Sequence, residues 1–230
     1  MKFITFSFDD GTVQDRETVR LLNKYGIRGT FNLNSGLFGN VHSIPRYNKM
    51  VDHTELTAEE AKELYAGHEI AVHTRTHPML QYISEYERLK EINGDKECLE
   101  AVFGGTITGM AYPGGAPNYD ESVLKTVREH TDLKYARTIL ETKDFAPPED
   151  FLEWHPTCHA RDEQIFELAD RFDALSADTE AIFYIWGHSF DLDGLDLWEH
   201  FEKLLERVSS MENVTIAPNR EVYEYFKARH

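Results

Sequence analysis

Two carboxylates stand side by side in Ser7-Phe8-Asp9-Asp10-Gly11, at the end of a strand-like run. Adjacent carboxylates repel unless a cation lies beside them, so a functional role for the pair calls for a metal. A plain Asp-Asp-Gly turn is the bland alternative. His73 and His77 add two imidazoles four residues apart, a spacing that suits two ligands on one ion. His155 and His159 repeat that spacing, and with 11 histidines in the chain one of the two pairs can be coincidence. The first pair is preferred because it begins where a strand ends, whereas His155 falls inside an expected strand. His159 remains as a group beside the metal or the substrate. One Asp and two His leave positions open on zinc, as catalytic ions require; cobalt, nickel or manganese also suits such donors. The other Asp can take a proton from water, and His188 can protonate a leaving group.

These residues meet only if strands deliver them to one rim. Strand-like and helix-like segments alternate throughout, the pattern of an α/β fold with a largely parallel sheet. Strands are expected at Lys2 to Phe8, Gly29 to Asn34, Glu69 to His73, Thr108 to Tyr112, near Tyr135, Phe151 to Thr157, Ala181 to Gly187 and Val214 to Ala217. Helices are expected at Asp15 to Tyr25, from Thr57 to Gly67, Ser84 to Phe103, Asp120 to His130, Asp162 to Phe172, across Leu197 to Val208, and Arg220 to Lys227. Thr57 and Glu60 have capping-box spacing. Tyr86, Leu89, Leu99, Val102 and Phe103 are expected as the inner stripe of the long helix. Residues 35–56 form a long polar connection, long enough for a functional loop or a small subelement, in which His42 and His53 are expected as solvated loop histidines. Seven or eight strand–helix units without a break imply one domain over residues 1–230, a (β/α) barrel, with an open doubly wound sheet as the alternative. In either, functional groups gather at the carboxyl ends of strands. That is where Asp9, Asp10, His73, Tyr112, Gly114, His159 and His188 fall.

Composition narrows the partners. The chain has 230 residues with 24 basic and 41 acidic side chains, a net charge of −17. Such a balance argues against nucleic acid and against an anionic membrane. The longest strongly apolar stretch, residues 181–186, is far too short to span a bilayer. Two cysteines, Cys98 and Cys158, exclude a disulfide-rich scaffold and read as free thiols. MKFITFSFDDG lacks the features of a signal peptide, so the expected location is the cytoplasm. Trp186, beside His188, is the tryptophan with the best placement to meet a ligand.

Several of these motifs together resemble the polysaccharide deacetylases (the NodB-homology domain, carbohydrate esterase family 4). Ser7-Phe8-Asp9-Asp10-Gly11 is similar to the first motif of that family. Gly67-His68-Glu69-Ile70-Ala71-Val72-His73-Thr74-Arg75-Thr76-His77 is similar to the second. Ala111-Tyr112-Pro113-Gly114-Gly115 is similar to a variant of the third, and Trp186-Gly187-His188 to the fifth. The resemblance implies a distorted (β/α) barrel, commonly seven-stranded, and metal-dependent removal of an N-acetyl group from an amino sugar or its polymer. It implies Asp9 as general base, Asp10, His73 and His77 as metal ligands, and His188 as general acid. It also implies a backbone N–H near Gly114 for the oxyanion, with Tyr112 lining the site. Two departures stand out. Ala111 occupies the third-motif position where many members carry the Arg that braces the catalytic Asp. The fourth motif has only a loose counterpart in Asp150-Phe151-Leu152-Glu153-Trp154, which leaves Asp191 and Asp193 as other partners for His188. The rival readings are a hydrolase of a non-sugar amide or imide at the same metal, and a noncatalytic carbohydrate-binding relative.

Overall fold

A computed structural model describes residues 1–229. Strand β1 (Lys2–Asp9) is buried along its whole length, as is β9 (Ala181–Gly187). Strands buried on both faces belong at the centre of a parallel sheet. They pair in parallel from Lys2↔Ala181 to Phe8↔Gly187. On the far side of β1 lie β2 (Thr30–Leu33), β5 (Glu69–Val72), β6 (Gly109–Ala111) and β7 (Tyr135–Arg137), in that order. β8 (Cys158–His159) flanks β9, and β10 (Val214–Ile216) pairs with the start of β1. Seven strands thus form one curled parallel sheet, with β10 as a side strand. Trp154 donates to Ala136 O at 3.0 Å, and Thr157 donates to Tyr184 O at 2.9 Å, so residues 154–157 span the seam between β7 and β9. The result is the expected distorted barrel.

The strand period of two sorts the side chains between two cores. Ile4, Phe6 and Phe8 of β1 face the helices, where Leu22 of α1 (Asp15–Lys24) and Phe201 and Leu204 of α7 (Trp198–Ser209) pack on them. The alternate set faces the barrel interior. Phe3, Tyr135, Trp154, Ile182, Tyr184 and Trp186 fill its lower half, closed by Val222 and Phe226 of α8 (Asn219–Lys227). Polar residues there are paired: Thr5 donates to Asn219 at 2.8 Å, Asn219 donates to Tyr184 at 2.6 Å, and Thr30 donates to Glu69 at 2.8 Å. Above this floor the same inward positions become Asp9, Asn32, His73, Arg137 and His188.

The remaining helices are α2 (Ala58–Leu64), α3 (Glu85–Phe103), α4 (Glu121–His130), α5 (Ile165–Asp173) and α6 (Ser189–Gly194). The Thr57/Glu60 capping box is formed. Two expectations fail, one of them in part. Residues 151–157 are not a strand: the Asp150 carboxylate accepts the Leu152 N–H at 2.9 Å and folds Phe151–Glu153 into a 3-10 turn. The inner face of α3 keeps Leu99 from the expected stripe but is otherwise Arg88, Ile92 and Asp95, whereas Tyr86 is 67% exposed. Residues 35–56 contain a small subelement: β3 (Ser43–Arg46) and β4 (Lys49–Asp52) form an antiparallel hairpin. Its tip, Tyr47-Asn48, has φ of 55° and 58°, the two-residue turn whose twist matches a hairpin. Cys98 and Cys158 are both free. No helix is long and apolar enough to cross a membrane among the described residues.

Candidate active site

The carboxyl ends of β1, β5, β6, β8 and β9 surround a cavity of about 660 Å³, and the β3–β4 hairpin supplies one wall. Asp9 is the last residue of β1 and points inward with its strand. Asp10 turns sharply, with φ at 78°, and Gly11 follows at 71°. This places the two carboxylates of one dipeptide on a common site rather than on opposite faces. Thr74 and His77 also have positive φ, at 67° and 58°, and the bend swings His77 back toward His73. Such backbone conformations cost energy and recur at functional sites.

Asp10 Oδ1 lies 3.5 Å from His73 Nε2 and 3.7 Å from His77 Nε2. These separations are too long for hydrogen bonds. They approach the spacing of donors about 2.0–2.2 Å from a shared ion. His73 is oriented for that task. Its Nδ1 meets Ala111 O at 2.9 Å, which turns the bare Nε2 toward the cavity. Burial lowers its pKa to about 4, so it is neutral at pH 7. The Asp95 carboxylate holds the His73 N–H at 3.1 Å, and Asn34 donates to His73 O at 2.6 Å. Asp10, His73 and His77 therefore fit a divalent ion by donor type and spacing.

Asp9 faces the same space. Asn32 donates to its Oδ1 at 2.8 Å, and the Arg137 guanidinium pairs with its Oδ2. Burial, the largest influence, pushes this carboxyl up, but Arg137, then His73 and His188, outweigh it and hold the group below the usual range. Asp9 is thus an ionised carboxylate, a competent proton acceptor. His188 Nε2 lies 3.9 Å from Asp9 Oδ2, and its Nδ1 lies 3.0 Å from Asp191 Oδ2. Burial works against the imidazolium, but the Asp191 hydrogen bond and the charges of Asp10, Asp191 and Asp9 raise its pKa overall. Asp191 is itself held down against burial by the His159 and His188 imidazoles that face it.

The other sequence-selected residues take distinct places. His159 Nε2 lies 3.3 Å from Asp191 Oδ2, and its Nδ1 accepts the Arg161 N–H at 3.1 Å, so it buttresses Asp191 from the side opposite His188. Trp186 is 8% exposed and lies with the Arg137 guanidinium 4.5 Å over its ring. Tyr112 lines the cavity, but its hydroxyl donates to Leu152 O at 2.9 Å and is turned away from it. Gly114 is also on the wall, at φ 87°, with the Met79 sulfur where a Cβ would stand. His155 bonds Thr138 at 2.7 Å and is not on the wall.

Sequence reasoning missed four residues here. Arg137 comes from a three-residue strand with no motif around it. Asn32 was hidden inside an ordinary strand. His53 is not solvated: its side chain is 12% exposed, with Nε2 3.4 Å from Asp10 Oδ2. Tyr47, at the hairpin tip, donates to Asp191 at 2.5 Å and accepts from Arg161 at 2.6 Å. A clue existed only in the length of the 35–56 connection that carries His53 and Tyr47, and it singled out neither residue.

Comparison with known proteins bears on the fold and the family. No curated protein matches the chain. Among solved structures, the Streptococcus pyogenes deacetylase PplD, in complex with acetate, is 24% identical with a TM-score of 0.50. That match covers 60% of this chain and 56% of that one, so the chain spans little more than half of PplD. The Xyl-CE4 domain of a multidomain xylanase from the hindgut metagenome of Trinervitermes trinervoides is 14% identical, with a TM-score of 0.64 over 98% of this chain and 91% of that one. A family 4 acetyl xylan esterase from Clostridium thermocellum, in complex with a cobalt ion, is 18% identical, with a TM-score of 0.60 over 97% and 91%. At these identities the likeness speaks for the fold. The polysaccharide deacetylase family model matches residues 1–135, from β1 to the start of β7, well over half of the 230 residues. On that match, the chain belongs to the polysaccharide deacetylase family.

Proposed function

We propose that the chain hydrolyses the N-acetyl amide of an amino sugar, alone or within an oligosaccharide, releasing acetate. One observation carries the reading. A carboxylate held ionised and an imidazole biased toward its protonated form face each other, 3.9 Å apart, beside an Asp/His/His set. Asp10, His73 and His77 would hold a divalent ion, zinc by donor type. When bound, that ion supplies Lewis-acid polarisation of the acyl carbonyl and of the attacking water.

The protein's own groups do the proton work. Asp9 Oδ2 accepts the proton that the water loses as its oxygen bonds to the acyl carbon. Arg137 and Asn32 hold Asp9 in place while its charge changes. As the carbon–nitrogen bond breaks, His188 gives its Nε2 proton to the departing amine, and Asp191 stabilises the imidazolium until then. A backbone N–H near Gly114, which lines the cavity, would serve the oxyanion. A cavity of about 660 Å³ accommodates a sugar unit with its acetamido group.

The test is acetate release from N-acetylglucosamine and its oligomers by zinc-loaded protein, with cyclic and linear non-sugar amides as comparison substrates. Asp9→Asn should lower kcat by about 10²–10⁴-fold. Full activity in that variant, or turnover of the non-sugar amides alone, overturns the proposal.

A further inference from the structure

Glu55 sits at the foot of the hairpin, beyond β4, with its side chain 2% exposed. Neither of its carboxylate oxygens has a hydrogen-bond donor among the described residues. A buried carboxylate without donors is unfavourable unless a cation compensates it. Two imidazoles face it. His53 Nδ1 lies 3.4 Å from Oε1, and His42 Nδ1 lies 3.5 Å from Oε2. The pairing of the hairpin legs presents both rings together: the His53 backbone N–H donates to the His42 backbone O at 2.9 Å, and the ring centroids are 4.8 Å apart.

We propose that His42, His53 and Glu55 form a second divalent-cation site, specific for a zinc-like ion and separate from Asp10, His73 and His77. The imidazole–carboxylate distances exceed hydrogen-bond length. They match the separation of donor atoms each about 2.0–2.2 Å from one tetrahedral ion. The second nitrogen of His53 strengthens the assignment. His53 Nε2 lies 3.4 Å from Asp10 Oδ2, and a histidine that ligates through one nitrogen commonly gives its other N–H to a carboxylate. Asp10 would thus face its own ion through Oδ1 and receive the His53 proton on Oδ2. The Asn40 amide, 3.4 Å from His42 Nδ1, is near enough to supply an oxygen as a further donor once turned over. The backbone is anchored for the purpose: Glu55 N donates to Asn40 O at 3.0 Å, and Glu55 bridges to Thr12 beside the β1 turn.

The competing arrangement is a protonated His53 clamped between Glu55 and Asp10 with no ion. Zinc stoichiometry separates the two. Purified full-length chain is dialysed against buffered zinc and its metal content is measured by elemental analysis, with far-UV circular dichroism to check folding. The wild type should hold two zinc ions per chain. Glu55→Gln and His42→Ala should each hold one, His77→Ala one, and the His42→Ala/His77→Ala pair none. His42 is part-exposed at the hairpin, so its substitution keeps the test alive if Glu55→Gln does not fold. A wild type with a single zinc, lost in His77→Ala and retained in His42→Ala, overturns the second site and leaves the deacetylase reading intact. A single zinc lost in His42→Ala and retained in His77→Ala does the reverse.

Discussion

Arg137 stands directly beside Ala111 in the sheet, register partners on β7 and β6, and its guanidinium reaches Asp9 Oδ2. The family's third-motif arginine is missing at Ala111, and the neighbouring strand supplies a cation to the same carboxylate. The small side chain at position 111 leaves room for the longer one to cross. Arg137 is fully buried and packed on Trp186, so both partners of the pair are held rigidly. Removing Arg137 deletes the largest influence that lowers the Asp9 pKa, and burial then pushes that carboxyl upward. Arg137→Met should reduce kcat/KM for acetate release by about 10–100-fold. The acidic limb of its pH profile should move to higher pH. Arg137→Lys should restore part of the rate and return the limb toward its original position. An unmoved limb in Arg137→Met would assign this residue to packing alone.

Asp191 should govern the opposite limb. Its carboxylate faces His188 Nδ1 at 3.0 Å and favours the imidazolium. Asp191→Asn removes the charge and keeps the shape. The His188 pKa should then fall, and the alkaline limb of the kcat profile should move to lower pH. Activity at pH 8 should drop more than activity at pH 6. His159→Gln tests the buttress: a smaller effect than that of Asp191→Asn is expected, because the Asp191 carboxylate stays beside His188.

Half of this machinery was legible in the sequence, for a physical reason. Asp9, Asp10, His73, His77 and His188 sit at strand ends within short stretches whose local order repeats their spatial order. Arg137 and Tyr47 act on residues 128 and 144 positions away, and nothing local marks them. Strands as apolar as Ala181–Gly187 declare themselves. The inner face of α3 does not, because it carries Arg88 and Asp95, whose burial is satisfied by hydrogen bonds to Leu80 O and from the Ser35 and His73 backbone. A hydrophobic-stripe argument therefore selected Tyr86 in their place. Phe151 to Thr157 failed for a similar reason, since the Asp150 side chain captured a backbone donor that a strand would have used.

Gly114 should resist substitution on two counts. Its φ of 87° disfavours any side chain, and an added Cβ would stand 2.0 Å from the Met79 sulfur. Gly114→Ala should destabilise the fold by about 1–3 kcal/mol in urea unfolding. Met79→Ala in the same chain relieves the collision but not the backbone strain. The double variant should recover only part of the loss, with a coupling energy of about 0.5 kcal/mol or more. Full recovery would mean that the backbone at Gly114 carries no strain.

His68 offers a test of stability remote from the cavity chemistry. Its Nδ1 accepts the Gly29 N–H at 3.1 Å, and burial, with Arg28 nearby, lowers its pKa to about 4. In the unfolded chain it titrates near its ordinary value of about 6.5. Between those two values the unfolded state holds a proton that the native state lacks. Stability from His68 is therefore complete above about pH 6.5 and is lost as pH falls toward about 4. His68→Asn keeps an acceptor for Gly29 and cannot titrate. The stability difference between wild type and His68→Asn should be constant above pH 7 and should shrink steadily, to the disadvantage of the wild type, from pH 6.5 to pH 4. Urea midpoints at half-unit pH steps measure it, and parallel curves through that interval would show that His68 is as easily protonated in the folded chain as in the unfolded one.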